Sequence, residues 1–363
     1  MKSFTAPSDR ALGQSWADVL ANYGATVVFM AAALWFYTHG SAFHRNLLDG
    51  ALAIPGGSYT VRTPDLLLWL ALAYAVILLP YYALLPGTTS KARIAFTYLG
   101  GQLFAAQRPR FGREEQQAFL ALLLKFFFVP LMLNWLLGSA SEVLEHWRGL
   151  AGQPAGRDFL TTFNTDLYLL AFKGLLLVDV GFFAVGYIVE LPALRNVIRS
   201  VDPTVSGWVV CLICYPPFNQ AFSAFFAWQA SDFPRFANPA THVALNGLLL
   251  ASMTVYASAS VTLGWRASNL TNRGIVARGP YAWVRHPAYA GKNVAWWIGA
   301  LPVLAAAFSQ SFGSGLLAIV SMASWTAIYV LRALTEERHL LMIDNGYAQY
   351  MNTVRYRFLP KIC

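Results

Sequence analysis

Charge is scarce in this chain. Acidic and basic residues fill only 12% of its 363 positions, about half the share of a soluble globular protein, which excludes a fold solvated mainly by water. Cysteine is nearly absent as well. Cys211, Cys214 and Cys363 cannot build a disulfide framework, and no His/Cys group has the spacing of a zinc site, so no metal is expected. Cys211 and Cys214 fall in an apolar run and read as small buried side chains. There is no low-complexity tract and no internal repeat. The polar start, MKSFTAPSDRALGQSWADVL, delays the first apolar run too long for a cleavable signal peptide.

Apolar residues are what the chain has, at 57%. About 20 helical residues cross a bilayer core, and runs of that kind lie near 20–38, 65–87, 118–140, 167–190, 205–228, 241–264, 288–308 and 313–334. The fold class expected is all-α: a polytopic integral membrane bundle of about eight transmembrane helices. Lys and Arg in short flanking loops orient such a chain. With eight spans, Lys2 and Arg10, the Lys91–Arg113 loop, Arg195 and Arg199, Arg266 to Arg285, and Arg332 to Lys361 share one side. The other side keeps only Arg45, Arg62, Arg148, Arg157 and Arg235. Both termini are therefore expected in the cytoplasm, in a bacterial inner membrane or an endoplasmic-reticulum-like one. The net charge of +9 is dispersed over these loops, where membrane lipid headgroups attract it; no nucleic acid is needed to explain it. Oligomeric state is not legible.

Two regions differ in texture. Residues 1–240, with about five spans, form a membrane half of unknown role; residues 241–363 hold about three spans and a charged tail. The tail reads as a helix leaving the membrane, a turn at Asn345-Gly346 and a second helix ended by Pro360. Upstream, Lys125, Asn134, Lys173, Asp179 and Gln220 are polar residues at membrane depth, where they serve as interhelical contacts or line a path. YPPFNQ, 215–220, must kink its span, because two prolines remove backbone donors. Unwound backbone at that depth belongs against protein or a cavity.

The segment GPYAWVRHPAYAGKN, 279–293, gathers Arg285, His286 and Lys292 among Tyr281, Trp283 and Tyr289. Gly279-Pro280 stops a helix and Pro287 suits the first turn of a new one. A helix amino terminus beside arginines favours an anionic group, and ring faces can cover a base or attract a cation. An interfacial aromatic belt is the plainer alternative. The last span exits through LRALTEERHLL, where Arg332 and Glu336, at i and i+4, share a helix face with His339 beyond them. Alone, that is an ordinary ion pair.

Together, GPYxxVRHPxYxG, one helical hairpin and RxxxEExxL resemble the isoprenylcysteine carboxyl methyltransferase family and the related membrane phospholipid N-methyltransferases, over roughly residues 265–360. The resemblance implies an S-adenosylmethionine pocket formed by the loop, hairpin and tail, and a lipid-like acceptor entering from the bilayer. By position it implies cofactor contacts at Gly274, Ile275, Val276, Tyr281, His286, Pro287, Ala288, Tyr289 and Glu336, and an acceptor-side role for Arg332. Glu336 and Arg332 are thus the implied catalytic pair. Many eukaryotic members carry histidine where this chain has Arg273.

Methyl transfer from a sulfonium mainly requires alignment in a dry site. A carboxylate acceptor needs no general base and suits the guanidinium fork of Arg332. An amine or phospholipid acceptor needs one, with Glu336, Glu337 or His339 as candidates. A sterol-reductase-like enzyme using NADPH also fits the hairpin and the ending VRYRFLPKIC. A transporter or scaffold would be favoured if Lys173, Asp179 and the proline kink faced one cavity away from the tail.

Overall fold

The computed structural model describes residues 15–54, 59–84, 89–154, 156–343 and 346–361. Lys2, Arg10, Asn345 and Cys363, which entered the sequence reading, lie outside them. Its contacts divide the chain into two compact units, residues 1–49 with 62–126, and residues 50–61 with 127–363. This boundary falls within the region upstream of residue 241, so residues 127–240 pack in one unit with the C-terminal region.

In the first unit, Ser15 caps α1 (Trp16–Trp35) by accepting from the Asp18 amide at 3.2 Å, satisfying a donor that the first helical turn leaves free. A π-helical turn and the short α2 (Ala42–Leu47) follow. The residues of a short ribbon, β1 (Ala51–Ala53) and β2 (Thr60–Arg62), precede α3 (Thr63–Leu84) and α4 (Lys91–Phe104). Val19, Leu78 and Tyr82 form the α1–α3 core. Arg93 on α4 reaches Asp18 at 2.7 Å.

The long α5 (Arg113–Ala151) and the one-turn α6 (Phe159–Thr162) lead to α7 (Tyr168–Ile188). The hairpin carrying the motifs is α11 (Pro287–Gln310) and α12 (Phe312–Leu341), preceded by α10 (Pro239–Leu263) and followed by α13 (Tyr347–Thr353). Pro239 and Pro287 open their helices at first-turn positions, where a missing N–H costs nothing. A single residue, Ser311, links α11 to α12 and caps the latter through the Ser314 amide at 3.0 Å. Gly291 lets α11 lie directly on α10, since a Cβ there would press on the Ser252 carbonyl at 2.6 Å. The outer faces of these helices stay apolar: Leu317 is 64% exposed, and Leu248, Val255 and Leu301 are exposed with it. Apolar surface that continuous calls for lipid.

Among the described residues, six helical stretches are long and apolar enough to cross a membrane: Trp16–Gly40, Thr63–Leu84, Arg113–Ala151, Phe159–Ile188, Pro239–Arg266 and Phe312–Leu341. The all-α polytopic class holds, and two of the eight expected spans fall outside those six. α11 has 24 residues and pairs with α12, but its glycines, Lys292 and Asn293 make it less apolar than those six. The predicted span 205–228 is no single helix. It breaks into α8 (Val205–Leu212) and α9 (Phe218–Ser223) around Tyr215-Pro216-Pro217 and then runs irregularly.

That broken segment still traverses its unit from end to end. Near its start, Ser200 bonds His339, close to the end of α12, at 2.9 Å. Farther on, the Phe226 carbonyl accepts from the Trp325 indole at 2.9 Å, and the Ser231 amide donates to Gly299 at 3.1 Å. The Pro234 carbonyl finally meets Asn246 near the start of α10, at 2.9 Å. Irregular backbone survives at this depth because neighbouring helices supply its partners.

Candidate functional site

The loop between α10 and α11 is fixed from below. A two-residue ribbon pairs β3 (Ser200–Val201) with β4 (Thr271–Asn272), in the register Ser200–Asn272 and Val201–Thr271. Gly186 lies flush against the loop, because any Cβ there would overlap the Ala267 carbonyl oxygen. The Tyr187 hydroxyl accepts from the Asn269 amide at 2.7 Å. Arg273 is buried, and its guanidinium donates to the carbonyls of Asn196 and, at 2.7 Å, Gly186. Arg273 therefore serves as an internal clamp on the loop.

The start of α11 is tied to the tail. The Arg285 and His286 amides donate to the Tyr356 and Arg357 carbonyls at 3.0 and 2.8 Å. The anion expected at this turn is supplied by the chain itself, as the Glu337 carboxylate. Glu337 accepts from Arg285 Nε at 2.8 Å, from Arg357 Nη2 at 2.7 Å, and lies 3.2 Å from His286 Nε2. A carboxylate so occupied is structural, which removes Glu337 as a candidate base. Tyr347, Tyr350 and Val354 pack the tail onto Ile275 and Leu340. Burial pushes the Tyr350 phenol up to about 12, so it remains a donor at neutral pH and holds the Tyr281 carbonyl at 2.7 Å.

Glu336, the neighbouring residue, is turned into the cavity. It accepts a hydrogen bond from the Tyr289 hydroxyl and lies 3.8 Å from both Arg332 Nη2 and His286 Nδ1. Arg332 is almost wholly buried, its guanidinium carbon 5.1 and 5.2 Å from the Tyr289 and Tyr329 ring centres. Its Nη2 donates to Asn269 Oδ1 at 2.8 Å, whereas its Nε has no acceptor. A buried guanidinium donor without a partner is costly, and it marks where a ligand oxygen would be welcome.

These groups surround a cavity of about 190 Å³. Of the residues expected from sequence, Gly274, Ile275, Val276, Tyr281, His286, Ala288, Tyr289, Arg332 and Glu336 all line it. Pro287 does not line it; it is buried as the first residue of α11. A smaller cavity of about 70 Å³ shares Tyr215, Tyr256, Lys292 and Tyr329 with it and continues to Met132, Trp135 and Asp179. The Lys292 ammonium lies 5.2 to 5.8 Å from the Tyr256, Trp296 and Tyr329 ring centres, and Asp179 accepts from Tyr256 and Ser260. Among the described residues no His/Cys/Asp/Glu group could hold a metal ion.

Sequence reasoning missed Asn269, which joins Arg332 to the hydroxyls of Tyr187 and Tyr215. Its sole sequence signal is an Asn-Leu-Thr triplet that mimics a glycosylation site. The arrangement that would favour a transporter is not found: Lys173 pairs with Glu142 at 2.8 Å, while Asp179 and Tyr215 belong to cavities joined to the tail's own.

The geometry defines a polytopic helical membrane protein with a polar, aromatic-walled cavity between a helical hairpin and a folded tail. The isoprenylcysteine carboxyl methyltransferase (ICMT) family model matches residues 242–342, so the C-terminal third, which carries the hairpin and Glu336, is the part that family shares. No curated protein and no solved structure matches the chain.

Proposed function

We propose that this chain is a membrane methyltransferase that uses S-adenosylmethionine to methylate a lipophilic carboxylate. The observation that carries the reading is the meeting of Tyr289, Glu336 and Arg332 around one cavity, with Arg332 Nε left unpaired. The residues present suit the cofactor. Glu336 offers a carboxylate to a cationic ligand, Tyr281 and Tyr289 offer ring faces, and Gly274 leaves backbone bare. S-adenosylmethionine supplies, when bound, an electrophilic methyl group on a sulfonium.

Glu336 is the group for the positive end of the cofactor, and Tyr289 keeps it oriented. Arg332 is the anchor for the acceptor's carboxylate, and Asn269 holds that guanidinium in place. The Lys292 ammonium adds a second positive charge to the acceptor end, which favours an anionic acceptor over an amine. Both termini and the arginine-rich loops face the cytoplasm in this reading, where a soluble cofactor is available. Calorimetry on purified protein, with S-adenosylmethionine beside a reduced nicotinamide, tests it. Saturable binding of the former alone is expected; binding of the nicotinamide alone would transfer the protein to the reductases.

A further inference from the structure

On the other side of the Gly274–Ile275 turn lies a second cavity, of about 640 Å³, walled by Arg195, Arg199, Arg266 and Arg273 with Val197. No acidic side chain lines it. Arg273 spends its donors on two carbonyls, and the Glu190 carboxylate is engaged by the Ile198 amide at 2.9 Å. That leaves Arg195, Arg199 and Arg266 with no ion pair among the described residues, and Arg195, Arg199 and Arg278 all add positive potential at Arg266.

The backbone is built to hold these like charges together. Arg195 takes a left-handed conformation, φ 51°, and its amide bonds Pro192 at 2.9 Å. Asn196, wholly buried, pins the loop by bonding the Leu191 amide and the Val189 carbonyl, both at 2.8 Å. Arg199 is anchored through its amide to the Asn272 carbonyl at 2.9 Å, and its guanidinium lies along Gly274, 3.3 Å from where a Cβ would stand. Cations fixed so close repel one another until an anion joins them, and the guanidinium fork matches phosphate oxygens. Exposed Trp265 beside Arg266 places the cavity at headgroup level.

We propose that Arg195, Arg199 and Arg266 form a phosphate-binding site on the outer wall of the cofactor loop, taking either an anionic phospholipid headgroup or a soluble phosphate ester. S-adenosylmethionine carries no phosphate, so phosphate binding is distinct from cofactor binding; Arg266, Arg273, Gly274 and Ile275 line both cavities, whereas Arg195, Val197 and Arg199 belong to the second alone.

The full chain in uncharged detergent is titrated with inorganic phosphate against chloride at constant ionic strength, reading the unfolding midpoint. In parallel, lipid retention is read by native mass spectrometry from vesicles of phosphatidylglycerol and phosphatidylcholine. A saturable phosphate shift identifies a soluble ester, and selective retention of phosphatidylglycerol identifies the lipid. In either case R195Q/R199Q, two exposed positions, weakens the response tenfold or more, while the charge-matched R108Q/R110Q leaves it unchanged. Equal behaviour of the two double variants, or no preference over chloride and phosphatidylcholine, overturns the proposal. Neither readout involves S-adenosylmethionine, so the site stands or falls apart from the methyltransferase reading.

Discussion

Glu336 and Glu337 are adjacent on α12 and both approach His286, but their other partners differ. Glu337 is enclosed by Arg285, Arg357 and His286, and Glu336 opens on the cavity with Tyr289 as its donor. Glu336→Gln keeps the shape and removes the charge. It should leave the unfolding midpoint unchanged and weaken S-adenosylmethionine roughly 10- to 100-fold by calorimetry, the worth of a hydrogen bond to a charged group. Glu337→Ala strands Arg285 as a buried, unpaired charge and should cost about 3–5 kcal/mol in stability, with faster proteolysis of the α13 tail segment. Arg332→Met should lower transfer to a lipophilic carboxylate by roughly 10²-fold while sparing cofactor affinity; equal loss of both would reassign Arg332 to the cofactor side. The motif residues were legible because proline, histidine and tyrosine at fixed spacing have few other uses. Asn269 was not, because its partners Tyr187, Tyr215 and Arg332 come from three distant stretches, and only folding brings them together.

Between elements, small residues decide the geometry. Gly186 on α7 admits the Ala267 backbone, and Gly299 on α11 admits Ser231 of the broken crossing. Gly186→Ala should push the loop off α7, costing about 1–3 kcal/mol as an overpacked contact and weakening cofactor binding with it; an unchanged midpoint and affinity would show that the loop tolerates the shift. The hairpin was readable in SQSFGSG, where a serine cap and glycines leave no length for anything but a tight reversal. The crossing at 205–228 was half readable. Its prolines announced a break, but apolar composition cannot distinguish a helix bathed in lipid from a broken chain whose carbonyls are met by Trp325 and Asn246.

For the molecule as a whole, the arginine distribution predicts sidedness. In a background with Cys211→Ala, Cys214→Ala and Cys363→Ser, single cysteines replacing Arg278 and Arg355 should react with an impermeant maleimide from the cytoplasmic face, and one replacing Arg235 from the opposite face. Labelling of all three from one face would dismantle the topology. The reach of the C-terminal unit back to residue 127 was not visible in the sequence. The residues that extend it, such as Phe128 stacked on Tyr187 at 4.7 Å, carry no motif and contribute only shape. The strap from Tyr356 and Arg357 to the start of α11 has a consequence for biosynthesis. Those two residues lie beyond the last span, so a chain truncated after α12 still contains Tyr289, Arg332 and Glu336 yet lacks the lock that fixes the start of α11. The start of α11 is therefore fixed only once the chain has been made past position 357.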